Sequence, residues 1–366
     1  MIILGIETTC DETAASIIKA EKGKIDILSN IVSSQIELHA KWGGVVPNLA
    51  AREHLKNIIP VLKEALEKSK KTPGQIDLIS VANGPGLIPA LLIGVNAAKT
   101  LSYIWEKPLI GVHHIEGHIY ANFINEIRSI PNPQLPVSKK LLIKFPVLCL
   151  VVSGGHTQLV LIKKHLDYQI IGETLDDAAG EAFDKVARIL GLSYPGGPAV
   201  AAYASAWTSD VRKGHVMSID LPRPMINSKD FNFSFSGLKT AVLYETKKHP
   251  EFLKNKNYIS GICHEFQQSV CDVLISKTIK AAAEYRPKTI MLAGGVSANR
   301  ELRNQLGTTI EKKLGKTLYR IPEIKYCADN AAMIAAAGFY RWKKIGNRKK
   351  LHDNWKTLSA DANLKL

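Results

Sequence analysis

The sequence predicts an α/β protein built from two related halves. Two observations carry this. Runs rich in Ile, Val and Leu alternate with segments whose apolar residues recur every three or four positions, so strands alternate with amphipathic helices. The figure that opens the chain, strand, short turn and returning strand in IILGIETTCDETAASIIKA (2–20), also returns midway in FPVLCLVVSGGHTQLVLIKK (145–164). The likeness is in pattern and not in letters, and it suggests a duplicated fold. A chain of 366 residues is long enough to bury two cores.

The elements follow in order. IILGIETT reads as a buried strand, CDET as a turn, AASIIKA as the returning strand and ILSNIVSSQ as a further strand. From 47 to 70 the pattern is helical, with Leu49, His54, Leu55, Ile58, Leu62 and Leu66 at three- and four-residue steps. IDLISVANGPG is a strand ending in a glycine turn, LIPALLIGVNAAKTLSYIW an apolar helix, and PLIGVH a strand feeding a helix at HHIEGH. Residues 125–143, with three prolines and a basic cluster, read as a loop. After the second hairpin come a strand (YQIIGETL) and helices from Ala178, Gly196, Ser236 and Ile259. TIMLAGGVSANRELRNQL is a strand, a glycine turn and a helix from about Asn299; DNAAMIAAAGFYRW is a last helix, and 344–366 a basic tail.

Composition narrows the function classes. The chain is 46% hydrophobic and 22% charged, an ordinary globular balance. Lys and Arg outnumber Asp and Glu 48 to 33, a net charge of +15, which points to a polyanion such as nucleic acid or to lysine carried for solubility. The five cysteines show no C-x-x-C and lie mostly in apolar runs, as expected of reduced thiols in a cytoplasmic protein. No apolar run reaches the length of a membrane span, and the N-terminus turns acidic too soon for a signal peptide, so no membrane association is expected.

Six stretches can carry chemistry. In GVHHIEGHIYANF (111–123), His114 and His118 share one helix face, the spacing of a zinc protease, but Ile115 stands where the protease glutamate belongs and Glu116 comes one position late. A metal there needs a further ligand, and Asp329 in CADNAAMIA is a candidate, unless it only caps the last helix. Asp11 and Glu12, at the tip of the first hairpin, are acids near a sheet end or an ordinary polar turn. SGGHT (153–157) and AGGVSANRELR are glycine turns whose N–H groups can approach an anion; the first, taken alone, reads more readily as a plain tight hairpin, while the second follows a strand and opens a helix as a nucleotide site does. In DDAAGEAFDKVARILGLSYPGGP, capping of the following helix accounts for Asp176 and Asp177, but Asp184 lies beyond the capping turn and can accept from ribose hydroxyls.

Taken together, IETTCDET, GPGL, GVHHIEGH, VVSGGHTQL, DDAAGEAFDKVARILGL with YPGGP, FSFSGLKTAV, GGVSANRELR and DNAAMIA closely resemble the bacterial TsaD family of tRNA N6-adenosine threonylcarbamoyltransferases, once called O-sialoglycoprotein endopeptidases. The resemblance runs from Met1 to about Trp342. It implies an actin/Hsp70-like (ASKHA) fold of two lobes facing a nucleotide cleft: 1–112 with 325–345, then 113–324, then the basic tail 346–366. It implies His114, His118 and Asp329 as ligands of one divalent metal per subunit, Fe2+ or Zn2+. It implies that Val151, Val152, Ser153, Gly154 and Gly155 contact threonylcarbamoyl-AMP, that Asp184 and Gly197 meet the ribose side and Asn299 the adenine side, and that Asp11 and Glu12 act near the reacting centre. Partners implied are tRNA, a TsaB-like paralogue and a TsaE-like ATPase. Departures are Asn48, where the family usually shows Glu, Pro89, where glycine is common, a long 125–143 segment and a missing Pro-Arg-Trp-Pro ending. A sugar or acetate kinase of the same superfamily would not need the histidine pair, a metalloprotease would need its glutamate, and a non-catalytic tRNA-binding paralogue would have lost ligands. The 343–350 lysine cluster (KKIGNRKK) is the expected tRNA surface or a solvated helix end.

Overall fold

A computed structural model describes residues 1–124, 143–207, 219–346 and 348–366. They form two compact units: Met1–Ile143 with His165–Asp167 and Arg320–Leu366, and Lys144–Lys164 with Tyr168–Tyr319.

The first unit is a five-stranded sheet in the order β3-β2-β1-β4-β5, where β1 is Ile2–Glu7, β2 Glu12–Glu21, β3 Lys24–Ser34, β4 Leu78–Gly84 and β5 Leu109–His113. β1 and β2 pair antiparallel with Ile3 opposite Ile18 and Glu7 opposite Ala14, while β4 runs parallel to β1 and β5 to β4. β1 is therefore central and covered on both faces, which is why its apolar run does not alternate. After the short helix α1 (Ile36–Ala40), α2 (Pro47–Ser69) and α3 (Ile88–Trp105) pack on Leu4 and Ile6 through Ile58, Val61, Leu62, Val95 and Ala98. On the opposite face Gly5, with Ser16 and Ser80 beside it in register, is small where the alanine-rich helix Ala331–Lys344 lies directly on the sheet. A Cβ at Gly5 would come 2.2 Å from the Ala331 carbonyl, and one at Gly338 2.0 Å from Ser80 Oγ. Pro89 lies in the first turn of α3, where a missing N–H costs nothing. Leu55, expected on the buried stripe of α2, is instead 65% exposed, as is Ile59 one turn on.

The second unit repeats the plan. Its sheet order is β10-β9-β6-β7-β8, with β6 at Val147–Val152, β7 at Thr157–Lys164, β8 at Asp167–Glu173, β9 at Thr289–Ala293 and β10 at Leu318–Arg320. β6 pairs antiparallel with β7 and parallel with β9, as β1 does with β2 and β4. Around it lie helices Ala179–Ile189, Gly196–Ser205, Ser236–Lys248, Lys256–Tyr285 and Arg300–Leu314. The duplication expected from the two hairpins is thus a repeat of strand order and direction, the arrangement of actin/Hsp70-like folds.

Two expectations on organisation need correction. The boundary expected at 112/113 falls at 143/144, because the helix His114–Tyr120 follows β5 without a break and packs on the helix Ala331–Lys344. The segment 346–366 is not a free tail. Leu351 is buried, Trp355 lies with its ring centroid 4.7 Å from that of Tyr103, and Trp355, Leu358 and Ala360 pack on the first unit's core. Asp361 N–H donates to Asn83 O at 2.8 Å, and Leu364 O lies 2.9 Å from His113 Nε2. The expected loop at 125–143 lies, but for its last residue, outside the described residues.

Candidate metal centre

In the first unit the C-terminal ends of parallel strands carry the candidate groups, where open α/β sheets place their ligands. β5 ends at His113, whose Nδ1 accepts the Ile115 N–H at 3.1 Å and so caps the helix His114–Tyr120. The helix runs all seven residues buried, and its period sets the His114 and His118 rings edge to face with centroids 4.7 Å apart. Asp329 arrives from 211 residues further on: its Oδ1 lies 3.4 Å from His114 Nε2 and 3.2 Å from His118 Nε2. It is not the cap of the last helix, because Asn330 does that work, accepting the Met333 N–H at 3.1 Å. One ligand atom from each of the three residues lies within 4.8 Å of the others.

The residues fit a divalent cation. His118 is 1% exposed, and apart from the Asp329 carboxylate 3.2 Å from Nε2 its ring has no polar partner among the described residues, so Nδ1 is orphaned. Orphaned buried polar atoms are rare because each costs about 1–3 kcal/mol unless something binds it. Burial opposes a charge on His114, but Asp329 and then Glu7 override it and raise its pKa to about 9. A pocket that grips a proton this firmly favours a cation, and a metal competes with that proton. Two imidazoles and a carboxylate suit zinc or iron.

Around the three lie acids from the first hairpin. Burial, then the charges of Asp329 and Asp11, push the Glu12 carboxyl well above the usual carboxylate range. Asp11 is buried beside it. Two residues that sequence reasoning missed hold this loop. Glu7 Oε2 lies 3.0 Å from His114 Nδ1, and its Oε1 accepts the Thr9 N–H at 2.6 Å. His54 is buried between Thr13 Oγ1, 2.8 Å from its Nδ1, and the Cys10 carbonyl, 3.0 Å from its Nε2. The available signal was chemical: an acid ending a buried strand and a histidine on a buried stripe both need partners.

Glu116, the misplaced acid of the histidine motif, is 1% exposed and held by Arg341, Nε to Oε1 at 2.6 Å and Nη2 to Oε2 at 3.0 Å. It is bound in a salt bridge.

In the second unit the remaining candidates gather mostly around the ends of β6 and β9. Val151 and Val152 are buried in β6, and the turn after them closes through Ser153 N–H donating to His156 O at 2.8 Å. A Cβ at Gly154, Gly155 or Gly197 would meet nothing within 4 Å, so packing does not require glycine there; bare backbone leaves its N–H groups accessible to an anion. Asp184 sits on the helix Ala179–Ile189, and its Oδ1 accepts the Gly196 N–H at 2.7 Å, fixing the Pro-Gly-Gly turn. Asn299 caps the helix Arg300–Leu314 through the Leu302 N–H at 3.0 Å, and its Nδ2 donates to Gln267 at 2.8 Å. Asp176 does not cap the helix that follows it; its carboxylate accepts from Ser234, Phe235 and Ser236 at the start of the helix Ser236–Lys248, while Asp177 pairs with Lys185.

The chain is similar to known proteins over most of its length. Residues 26–336 match the family model for TsaD, tRNA N6-adenosine threonylcarbamoyltransferase. The chain is 49% identical over 366 residues to the protein of that name from Thermosipho africanus, covering 100% of both. It is 50% identical over 345 residues to the one from Bacillus subtilis, covering 94% of this chain and 91% of that one. Among solved structures, HypF of T. kodakarensis superposes with a TM-score of 0.55 at 12% identity, over 96% of this chain and 49% of HypF, a likeness of fold alone. The chain belongs to the TsaD family.

Proposed function

We propose that the chain transfers the threonylcarbamoyl group of L-threonylcarbamoyl-AMP to N6 of adenosine 37, next to the anticodon, in tRNAs reading ANN codons. N6 attacks the carbonyl carbon, a C–N bond forms, the carbon–oxygen bond to the phosphate breaks, N6 gives up a proton, and AMP leaves with the electron pair. His114, His118 and Asp329 would hold one Fe2+ or Zn2+ per chain, which when bound supplies Lewis-acid and templating chemistry. Glu12, beside Asp11 and within electrostatic reach of Asp329, is the carboxylate we assign to receive the N6 proton. The turns at Ser153–Gly155 and Gly197 present backbone to the adenylate, with Asp184 towards its ribose and Asn299 towards its base.

The net charge of +15 supports tRNA as the acceptor. Leu55 and Ile59, each 65% exposed on α2, with Leu92 43% exposed on α3, support a protein partner, which we read as a TsaB-like paralogue acting with a TsaE-like ATPase. Among the described residues no helix is long and apolar enough to cross a membrane; we place the enzyme in the cytoplasm, with its tRNA. The carrying observation is that ligand atoms of His114, His118 and Asp329 converge in one cluster around the buried histidines while Glu116, the only acid between the histidines, is committed to Arg341. This favours transfer over proteolysis, which needs a free glutamate to deprotonate water.

The test supplies synthetic threonylcarbamoyl-AMP, an ANN-reading tRNA and the partner proteins to the purified chain. Modified adenosine and AMP should appear together. Proteolysis that disappears in His114→Ala, with no transfer under any partner combination, would overturn the proposal.

A further inference from the structure

Glu7 is fully buried at the end of β1, and a bare carboxylate there is costly without compensation. Its two oxygens have different jobs. Oε1 accepts the Thr9 N–H at 2.6 Å, and Oε2 lies 3.0 Å from His114 Nδ1. Holding the turn needs only one acceptor, which a glutamine would provide equally well. The second oxygen decides something else. A carboxylate can only accept, so His114 must place its hydrogen on Nδ1. Nε2, 3.4 Å from Asp329 Oδ1, is then the nitrogen whose proton a metal displaces, freeing its lone pair for the three-ligand cluster.

On the reading that His114, His118 and Asp329 hold a metal, we propose that Glu7 is a positioning residue that fixes His114 in the metal-binding tautomer. It forms the carboxylate–histidine–metal arrangement in which the outer carboxylate also makes the imidazole a stronger donor. Thr9 Oγ1, 3.2 Å from the same Nδ1, is the competing explanation, since a hydroxyl could accept that hydrogen alone.

Glu7→Gln separates the two. If the new amide oxygen stays with Thr9 N–H, its NH2 faces His114 Nδ1, which must then accept, and the hydrogen moves to Nε2, blocking the ligand atom. If the amide turns over, its NH2 opposes Thr9 N–H. Either way metal binding has to overcome a mismatch absent from the parent.

The experiment titrates cobalt(II), read by its visible absorption, into the metal-stripped full chain against a competing chelator. Parent, Glu7→Gln, Glu7→Asp and His118→Ala are compared, and unfolding midpoints are recorded without metal. The proposal expects tight one-to-one binding by the parent and about ten- to hundredfold weaker binding by Glu7→Gln at the same stoichiometry. Affinity within about twofold of the parent would overturn it, whether or not the metal-free variant is less stable, because Glu7 would then only brace the turn. Should Glu7→Gln fail to fold, Glu7→Asp, which withdraws the carboxylate by one methylene, is judged by the same criterion. A parent that binds cobalt no better than His118→Ala would instead refute the metal reading on which this rests.

Discussion

Replacing Arg341 with methionine takes the cation away from a carboxylate with almost no access to water. Glu116 is 1% exposed, and Arg341 reaches both its oxygens, at 2.6 and 3.0 Å, while Nη1 also donates to Gly111 O at 3.3 Å. Removing one member of a buried pair costs about 3–5 kcal/mol because the other charge stays behind. The Arg341 side chain is 35% exposed, so solvent screens part of the interaction and the expected loss is about 2–4 kcal/mol. Glu116→Gln leaves a cation that water can reach, and should cost about 1–2 kcal/mol. The double variant should be more stable than the sum implies, by a coupling of about 1–3 kcal/mol. Urea unfolding of all four proteins, in excess chelator so that metal binding does not add to stability, gives these numbers. Strict additivity, or a loss below about 0.5 kcal/mol for Arg341→Met, would refute the reasoning and free Glu116 for other work.

Three further outcomes follow from the geometry. Cutting the chain after Lys344 removes the burial of Leu351 and Trp355 and the bonds to Asn83 and Leu109, and should cost the first unit at least about 3 kcal/mol in urea unfolding; an unchanged midpoint would return 346–366 to the status of a free tail. Burial, aided by the charge of Lys343, lowers the His165 pKa to about 4 from 6.5. Its contribution to stability is therefore whole above about pH 6.5 and is lost as pH falls through about 4, and His165→Phe should flatten the stability profile across that window; an equally steep profile would assign the acid sensitivity elsewhere. Asp184→Ala should weaken AMP binding by about 1.5–3 kcal/mol in calorimetry, and unchanged affinity would leave it only the anchor of the Gly196 N–H.

The two sheets were legible because strand patterning and glycine turns are local properties, and both hairpins fell where the apolar runs placed them. The histidine pair was legible for the same reason, being a single helical period. Its third ligand was not readable from spacing, since Asp329 is brought in by the packing of the last helix on a glycine-floored sheet; family resemblance supplied it. Asp176 misled because its partners lie 58 to 60 residues away, and local capping rules do not extend so far. Asn299, by contrast, directly precedes a helical pattern, so the capping preference for asparagine was available and unused. In the C-terminal segment the lysines hid the signal: Leu351, Trp355 and Leu358, at steps of four and three, are an apolar stripe.

The central claim is that His114, His118 and Asp329 form one metal site. It is tested most directly by elemental analysis of protein purified without added metal, comparing the parent with His118→Ala. The parent should carry close to one iron or zinc per chain, and His118→Ala far less, with an unchanged circular dichroism spectrum. Full occupancy in a folded His118→Ala would contradict the assignment.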